Sequence, residues 1–101
     1  MRILKFYADW CGPCKALSVQ FKGIELPVGT KLVEIDIDKD RENTQKYSVR
    51  GVPTMVVLDR QNNEVTRKTG TFLSRKELRE WVEANCPPEE PEVLTPPSDP
   101  V

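Results

Sequence analysis

The sequence predicts an α/β domain in which a four-stranded mixed sheet carries helices on both of its faces, with the element order β-α-β-α-β-β-α. Three observations predict this fold. Short apolar runs alternate along the chain with segments of helical periodicity. A helical segment separates the first two apolar runs, and this order favours parallel strands joined by a right-handed crossover. The turn sequence QNN at 61–63 separates the last two runs and predicts an antiparallel hairpin.

Two strands and two helices account for the first half of the chain. Residues 3–8 form a short apolar run that predicts a central strand. Residues 14–23 have apolar side chains at helical spacing and end at a glycine, which is a common stop signal. The alternating run 31–36 predicts the second strand, and Asp38 is expected to cap a polar helix that reaches about residue 47.

A hairpin and a final helix account for the second half of the chain. The run TMVVL at 54–58 predicts one strand, and residues 64–69 predict its hairpin partner. Ser74 is followed three residues later by Glu77, which is the signature of a capping box at a helix start. The helix carries three large apolar side chains on one face and ends before two prolines. These residues are Leu78, Trp81 and Val82, followed by Pro87 and Pro88.

The chain is long enough for one domain, which we place at residues 1–86, and too short for two. Residues 87–101 differ in composition, since six of the fifteen are proline and four are acidic. Such a segment buries too little apolar surface to offset the entropy lost on ordering, so we expect a disordered or extended tail. A solubilising extension is the favoured interpretation, and a tail that binds a partner is the alternative.

Charge and hydropathy exclude several classes of protein. The net charge of −1 does not predict a nucleic-acid partner. No stretch of the chain approaches the roughly 18 consecutive apolar residues that indicate a membrane span. The first ten residues lack the apolar region and the cleavage site of a secretory signal. We therefore expect a cytoplasmic protein in a reducing compartment, and a monomer.

Cys11 and Cys14 are separated only by Gly12 and Pro13, and their chemistry is the main functional question. A structural zinc site needs four ligands, usually Cys or His, but the chain has three cysteines and no histidine. A c-type haem site needs a histidine after the second cysteine, where Lys15 stands. A structural disulfide across so short a loop gives little stabilisation and tends to be reduced in the cytoplasm. Redox chemistry is therefore the favoured interpretation.

The predicted position of the pair at a helix start supports redox chemistry. A cysteine at the N-terminus of a helix lies beside unpaired N–H groups and the positive end of the helix dipole, which favour the thiolate. Cys11 is placed to be that nucleophile, and we expect its sulfur to face solvent. Cys14 lies one turn further along, close enough to attack a mixed disulfide formed by Cys11. Pro13 fits the first turn of such a helix.

The segment WCGPCK at 10–15, which follows a predicted strand, resembles the active-site motif of thioredoxin. The resemblance covers about residues 2–86. The segment GVPT at 51–54 is similar to the family's loop that carries a cis-proline opposite the cysteines, and KTG at 68–70 is similar to the loop beside it. The resemblance implies a thioredoxin fold, a cis peptide bond before Pro53 and an activity in thiol–disulfide exchange.

The same resemblance implies roles for individual residues. Cys11 would be the attacking thiolate and Cys14 the resolving thiol of a reductase that acts on protein disulfides. Val52 would offer its backbone to an extended substrate segment. A position in the core is the alternative for Trp10. The implied substrate-binding surface and groove comprise Trp10, Gly12, Pro13, Val52, Pro53, Thr69, Gly70 and Thr71.

The resemblance also implies which partners the protein uses. Its substrates would be proteins that contain disulfides, and its electron donor would be a flavoprotein thioredoxin reductase. No bound cofactor is needed. The Gly-Pro pair between the cysteines resembles the reducing members of the family. Two alternatives stay open: a glutaredoxin-like reductant served by glutathione, and a binding module that uses the surface around Trp10 and Pro53.

The chain departs from the family pattern in three places. Only ten residues precede Cys11, so we expect the family's opening strand and helix to be missing and the stability to be lower. Lys5 stands where the family has a buried Asp, and Glu34 stands where it has the facing Lys. We predict that they form a reversed, semi-buried pair in which Glu34 accepts the proton of Cys14. The alternative is that Lys5 snorkels to solvent. Cys86 is expected to be a small, partly buried residue that fills space, and a regulatory role or pairing between chains is the alternative.

Overall fold

Seven elements follow one another in the computed structural model, which describes residues 1–72 and 74–88. The predicted order of strands and helices, and the α/β class, are confirmed. The predicted tail lies outside the described residues from position 89 onward. The elements are β1 (Arg2–Tyr7), α1 (Gly12–Lys22), β2 (Lys31–Asp36), α2 (Arg41–Lys46), β3 (Thr54–Leu58), β4 (Glu64–Thr69) and α3 (Arg75–Asn85).

The sheet is mixed, and β1 lies in its interior. Within the described residues the strands follow the spatial order β2-β1-β3-β4. β1 runs parallel to β2, as the intervening helix requires, and antiparallel to β3. Lys5 in the middle of β1 is the register partner of Glu34 on β2 and of Met55 on β3. β3 and β4 form the predicted hairpin. The interior position of β1 places the segment that follows it, which contains Cys11 and Cys14, at the end of the sheet.

Each face of the sheet has its own hydrophobic cluster, because successive side chains of a strand point to opposite faces. Helices α1 and α3 cover one face, and the segment around α2 covers the other. Cys86, predicted to be a partly buried residue that fills space, is fully buried in this core. The first cluster comprises Ile3, Leu17, Phe21, Met55, Val57, Leu78, Val82 and Cys86. The second comprises Leu4, Phe6, Ile35, Val56 and Leu58, with Tyr47 and Val49 packed against it.

Side-chain caps decide where the helices begin. α3 starts with the predicted capping box, in which Ser74 and Glu77 each accept a hydrogen bond from the other's backbone N–H. The prediction that Asp38 caps α2 is wrong. Asp40 is the N-cap, and its Oδ1 accepts a hydrogen bond from the backbone N–H of Asn43 at 3.1 Å. Asp38 is engaged elsewhere, because its carboxylate accepts a hydrogen bond from Trp10.

No helix among residues 1–72 and 74–88 combines the length and the apolarity needed to cross a bilayer. The longest helices, α1 and α3, have 11 residues each. Both place apolar side chains against the sheet, among them Leu17 and Phe21 of α1 and Leu78 and Val82 of α3.

Candidate active site

Cys11 is the N-cap residue of α1, and its own sulfur performs the capping. The residue has extended backbone angles, with φ −92° and ψ 106°. Its Sγ accepts a hydrogen bond from the backbone N–H of Cys14 at 3.1 Å. Pro13 in the first turn of α1 has no N–H to leave unpaired, so it suits this position. The sulfur therefore lies at the positive end of the helix dipole, as the sequence predicted.

The two cysteines form a disulfide bond. Their Cα atoms are 5.3 Å apart, which is within the usual range for such a bridge. The expectation that Cys11 faces solvent is wrong, since only 4% of its surface is exposed. The reason is local packing, because Ala8 lies in the same small apolar cluster and Val52 packs against it. The adjacent Gly12 is exposed, so the disulfide lies just below the molecular surface.

Two chain segments meet beside the disulfide. The peptide bond between Val52 and Pro53 is cis, as the resemblance implied. The backbone N–H of Gly70 donates to the carbonyl of Pro53 at 2.9 Å, which ties the end of β4 to this loop. Gly70 has φ +98°, a backbone conformation that residues other than glycine rarely adopt. Thr69 Oγ1 lies 3.4 Å from the hydroxyl of Thr54, and the following Thr71 is exposed.

Trp10 lies on the surface next to the disulfide. Its side chain is 69% exposed, so the alternative of a core position is wrong. The indole Nε1 donates a hydrogen bond to Oδ2 of Asp38 at 3.0 Å, which orients the ring. Sequence reasoning missed this role of Asp38. The available signal was the alternation of residues 35–38, IDID, which carries two acidic side chains to the end of β2 beside the end of β1.

Lys5 is buried beneath the active-site helix. Its side chain is 1% exposed, so the alternative in which it snorkels to solvent is wrong. Its Nζ donates a hydrogen bond to Oγ of Ser18 and lies 3.3 Å from Oε1 of Glu34. The ammonium also lies 5.8 Å from the centre of the Tyr7 ring. Lys5 and Glu34 thus form the pair that we predicted, but only the lysine is buried, because Glu34 is 53% exposed.

An open cleft is shared by Glu34 and Cys14. The cleft has a volume of about 180 Å³ and is lined by Cys14, Ser18 and Glu34, together with Tyr7 and the segment after it. Sequence reasoning missed Ser18. The signal was its spacing, because a residue four positions after Cys14 on a helix lies on the same face. The cleft gives Glu34 and Cys14 a common solvent-accessible space.

The described residues contain no group of three or more Cys, His, Asp or Glu side chains that could hold a metal ion. Cys86, the third cysteine, is a free thiol in the core, on the face of the sheet that α1 and α3 cover. Burial raises the pKa of this thiol, and the effect outweighs the opposite influence of the N-terminal ammonium and of Thr30.

A family model described as Thioredoxin matches residues 1–84, which include the cysteine pair, the cis-proline loop and all seven elements except the last residue of α3. The chain belongs to the thioredoxin family. It therefore has the fold of that family and carries the cysteine pair of a protein disulfide oxidoreductase.

Thioredoxins from distant organisms are similar to this chain. The thioredoxin of Bacillus subtilis is 37% identical over 79 residues, which span 76% of this chain and 74% of that protein. Thioredoxin-1 of Drosophila melanogaster is 43% identical over 70 residues, which span 67% of this chain and 64% of that protein. The X-ray structure of Fasciola hepatica thioredoxin superposes with a TM-score of 0.72 at 30% identity, covering 83% of this chain and 79% of that chain.

Proposed function

We propose that the chain reduces disulfide bonds of other proteins by dithiol–disulfide exchange. The observation that carries the proposal is the disulfide between Cys11 and Cys14 at the start of α1, with Cys11 Sγ accepting the backbone N–H of Cys14. In the reduced protein, the same N–H and the helix dipole stabilise negative charge on that sulfur. A Cys11 thiolate is the nucleophile that exchange requires.

The proposed reaction has two steps. The Cys11 thiolate attacks one sulfur of the substrate disulfide, and the other substrate sulfur leaves as a thiolate that takes a proton from solvent. Cys14 then loses its proton to the carboxylate of Glu34 and attacks Sγ of Cys11. This attack breaks the mixed disulfide and releases the second substrate thiolate. Two electrons pass from the dithiol to the substrate, and the protein is left with the Cys11–Cys14 disulfide.

The residues around the disulfide are proposed to bind the substrate. Trp10, Gly12 and Pro13 are exposed and offer a flat, largely apolar contact surface. Val52 is partly exposed and packs against the cysteine cluster, so its backbone is placed to pair with an extended substrate segment. Such pairing delivers a substrate disulfide to a sulfur that is almost buried. Pro53, Thr69, Gly70 and Thr71 complete the proposed groove.

A dithiol carrier needs a source of electrons. We propose a flavoprotein thioredoxin reductase, which restores the dithiol by exchange with the Cys11–Cys14 disulfide, so that no bound cofactor is needed. We further propose that the protein works as a cytoplasmic monomer. The redox domain is proposed to end near residue 86, with residues 87–101 as a solubilising extension.

The test is an insulin-reduction assay that compares two electron sources, thioredoxin reductase with NADPH and glutathione with glutathione reductase. We expect turnover with thioredoxin reductase, and loss of turnover in Cys11→Ser and Cys14→Ser. Cys86→Ala is the matched control, because it removes the buried third cysteine and should keep the activity. Turnover supported only by glutathione would assign the chain a glutaredoxin-like role. A biological role that survives replacement of both active-site cysteines would indicate a binding module.

A further inference from the structure

Ser18 is a partly buried residue of α1 that contacts Lys5, yet the proposed mechanism gives it no role. Its Oγ accepts a hydrogen bond from Nζ of Lys5. Ser18 lies four residues after Cys14 on α1, so the two side chains are neighbours on one face of the helix. Both line the cleft that also reaches Glu34. Ser18 therefore neighbours both the buried ammonium group and Cys14.

The chemistry of lysine decides how the Ser18 hydroxyl is used. An ammonium group has three donors and no acceptor, so Ser18 must accept the hydrogen bond from Lys5. The hydroxyl proton is then free to be donated to a third group. Within residues 1–72 and 74–88, the bond from Lys5 is the only hydrogen bond found for Ser18 Oγ. The cleft that Ser18 shares with Cys14 offers a place for that third group.

We propose that Ser18 is a positioning residue for the resolving step: held by Lys5, its hydroxyl donates a hydrogen bond to the Cys14 thiolate, directly or through one water molecule. The cleft of about 180 Å³ has room for water, which occupies about 30 Å³ in the liquid. The inference rests on the proposed function, because the Cys14 thiolate arises only after the disulfide has been reduced.

The proposal adds no transferred atom or electron to the reaction. The proton of Cys14 passes to Glu34, and the electron pair left on Sγ forms the new bond to Cys11. Ser18 keeps its own proton and stabilises the thiolate while it exists. Other charged groups also line this cleft. Asp9 and Glu34 oppose a thiolate there, whereas Lys15 favours it. The ammonium of Lys5, which is bonded to Ser18 behind the cleft lining, also favours a thiolate.

The pKa of Cys14 in the reduced protein tests the proposal. It is measured in a Cys11→Ser background from the pH dependence of iodoacetamide alkylation, with mass spectrometry assigning the label to Cys14. We expect Ser18→Ala to raise the Cys14 pKa by about one unit, the effect of losing one hydrogen bond to a charged group. Ser18→Thr keeps a hydroxyl and should restore the original value. Val19→Ala, on the exposed side of α1, is the matched control and should leave the pKa unchanged.

A double-mutant comparison tests whether Lys5 acts through Ser18. Lys5→Met keeps most of the side-chain volume and removes the ammonium group. We expect Ser18→Ala to shift the Cys14 pKa much less in the Lys5→Met protein than in the unmodified chain. Equal shifts in the two backgrounds overturn the proposal. No shift with Ser18→Ala, in a protein of unchanged circular dichroism, also overturns it and indicates that the hydroxyl donates to the helix backbone instead.

This measurement involves neither substrate nor reductase. Failure of the insulin assay would therefore remove the proposed function and leave the link between Ser18 and Cys14 standing. Failure of the pKa measurement would remove that link and leave the proposed reductase activity standing.

Discussion

Lys5 and Glu34 are register partners on the parallel strands β1 and β2, but the lysine is buried and the glutamate is largely solvated. Burying an ammonium group is unfavourable unless hydrogen bonds replace its lost hydration. Here Ser18 and Glu34 supply acceptors, and the ring of Tyr7 lies nearby. The pair is therefore asymmetric. Removing the charge of Lys5 leaves no buried charge without a partner, because Glu34 is solvated. Removing the charge of Glu34 takes a charged acceptor away from a buried ammonium.

This asymmetry predicts how substitutions of Lys5 affect stability. We expect Lys5→Met to change the free energy of unfolding by less than about 1 kcal/mol, or to raise it, because a buried charge is replaced by an apolar side chain of similar volume. Lys5→Ala should lose about 2–4 kcal/mol, because it leaves a cavity. Urea unfolding of the oxidised proteins measures both values. A loss in Lys5→Met as large as that in Lys5→Ala would show that the ammonium itself stabilises the fold.

The proposed role of Glu34 predicts a pH-dependent defect. Glu34→Gln cannot accept the proton of Cys14, so we expect insulin reduction at pH 7 to slow by about 100-fold, a typical contribution of general-base catalysis. The defect should shrink as the pH rises, because hydroxide can then remove the proton. Rates across the pH range measure this, with Glu80→Gln on the exposed side of α3 as the control. A profile identical to that of the unmodified protein would exclude Glu34 from the proton pathway.

The capping role of Cys11 predicts different effects of serine and alanine at this position. A serine oxygen can accept the backbone N–H of Cys14 as the sulfur does, whereas alanine leaves it unpaired. We expect Cys11→Ala to be less stable than Cys11→Ser by about 1 kcal/mol, although neither is active. The comparison is made by urea unfolding in excess reductant, so that no disulfide contributes. Equal stabilities would mean that the N-cap bond has no net value.

Burial of Cys86 predicts a loss of stability in alkaline solution. Its folded pKa is raised above the usual value of 9.0, so at higher pH the unfolded chain releases a proton that the folded protein keeps. The thiol's contribution is therefore complete below pH 9 and is lost as the pH rises toward the folded pKa. In the oxidised protein Cys86 is the only free thiol, because Cys11 and Cys14 are bonded to each other.

Urea unfolding of the oxidised protein measures this effect. The pH is varied from about 8 to about 10.5, the range in which a thiol titrates. We expect the unfolding free energy of the unmodified protein to fall relative to that of Cys86→Ala by up to about 1.4 kcal/mol per pH unit, the limit for one proton. The comparison cancels lysine and tyrosine ionisation, which both proteins share. Parallel curves for the two proteins would contradict a raised pKa.

Local sequence signals determined the elements of this fold. Three of these signals act over only a few residues: the alternation of apolar residues, the turn at 61–63 and the capping box of α3. Each can therefore be recognised without knowledge of the tertiary structure. The spacing of Cys11 and Cys14, with Pro13 between them, likewise placed a sulfur at a helix start. The order of strands and helices and the position of the disulfide were therefore predictable.

The chemical surroundings of the disulfide were less predictable, because they depend on residues far apart in the chain. Lys5 meets Ser18 and Glu34 across separations of 13 and 29 residues. Trp10 donates a hydrogen bond to Asp38 across a separation of 28 residues. Asp38 is the residue that we expected to cap α2, and its carboxylate is used by this bond instead. Choosing between Asp38 and Asp40 as the cap required knowing which carboxylate another element would use.

The sequence by itself determined the succession of strands and helices, the helix that carries the cysteine pair, and the opposite charges at positions 5 and 34. Only the tertiary structure decided that Lys5 is buried, that Cys11 is almost covered and that Ser18 bonds to Lys5 and shares a cleft with Cys14. The physical reason is that helix and strand formation follow from short-range steric and hydrogen-bonding preferences. Burial and pairing, in contrast, are set by the packing of α1 against the sheet.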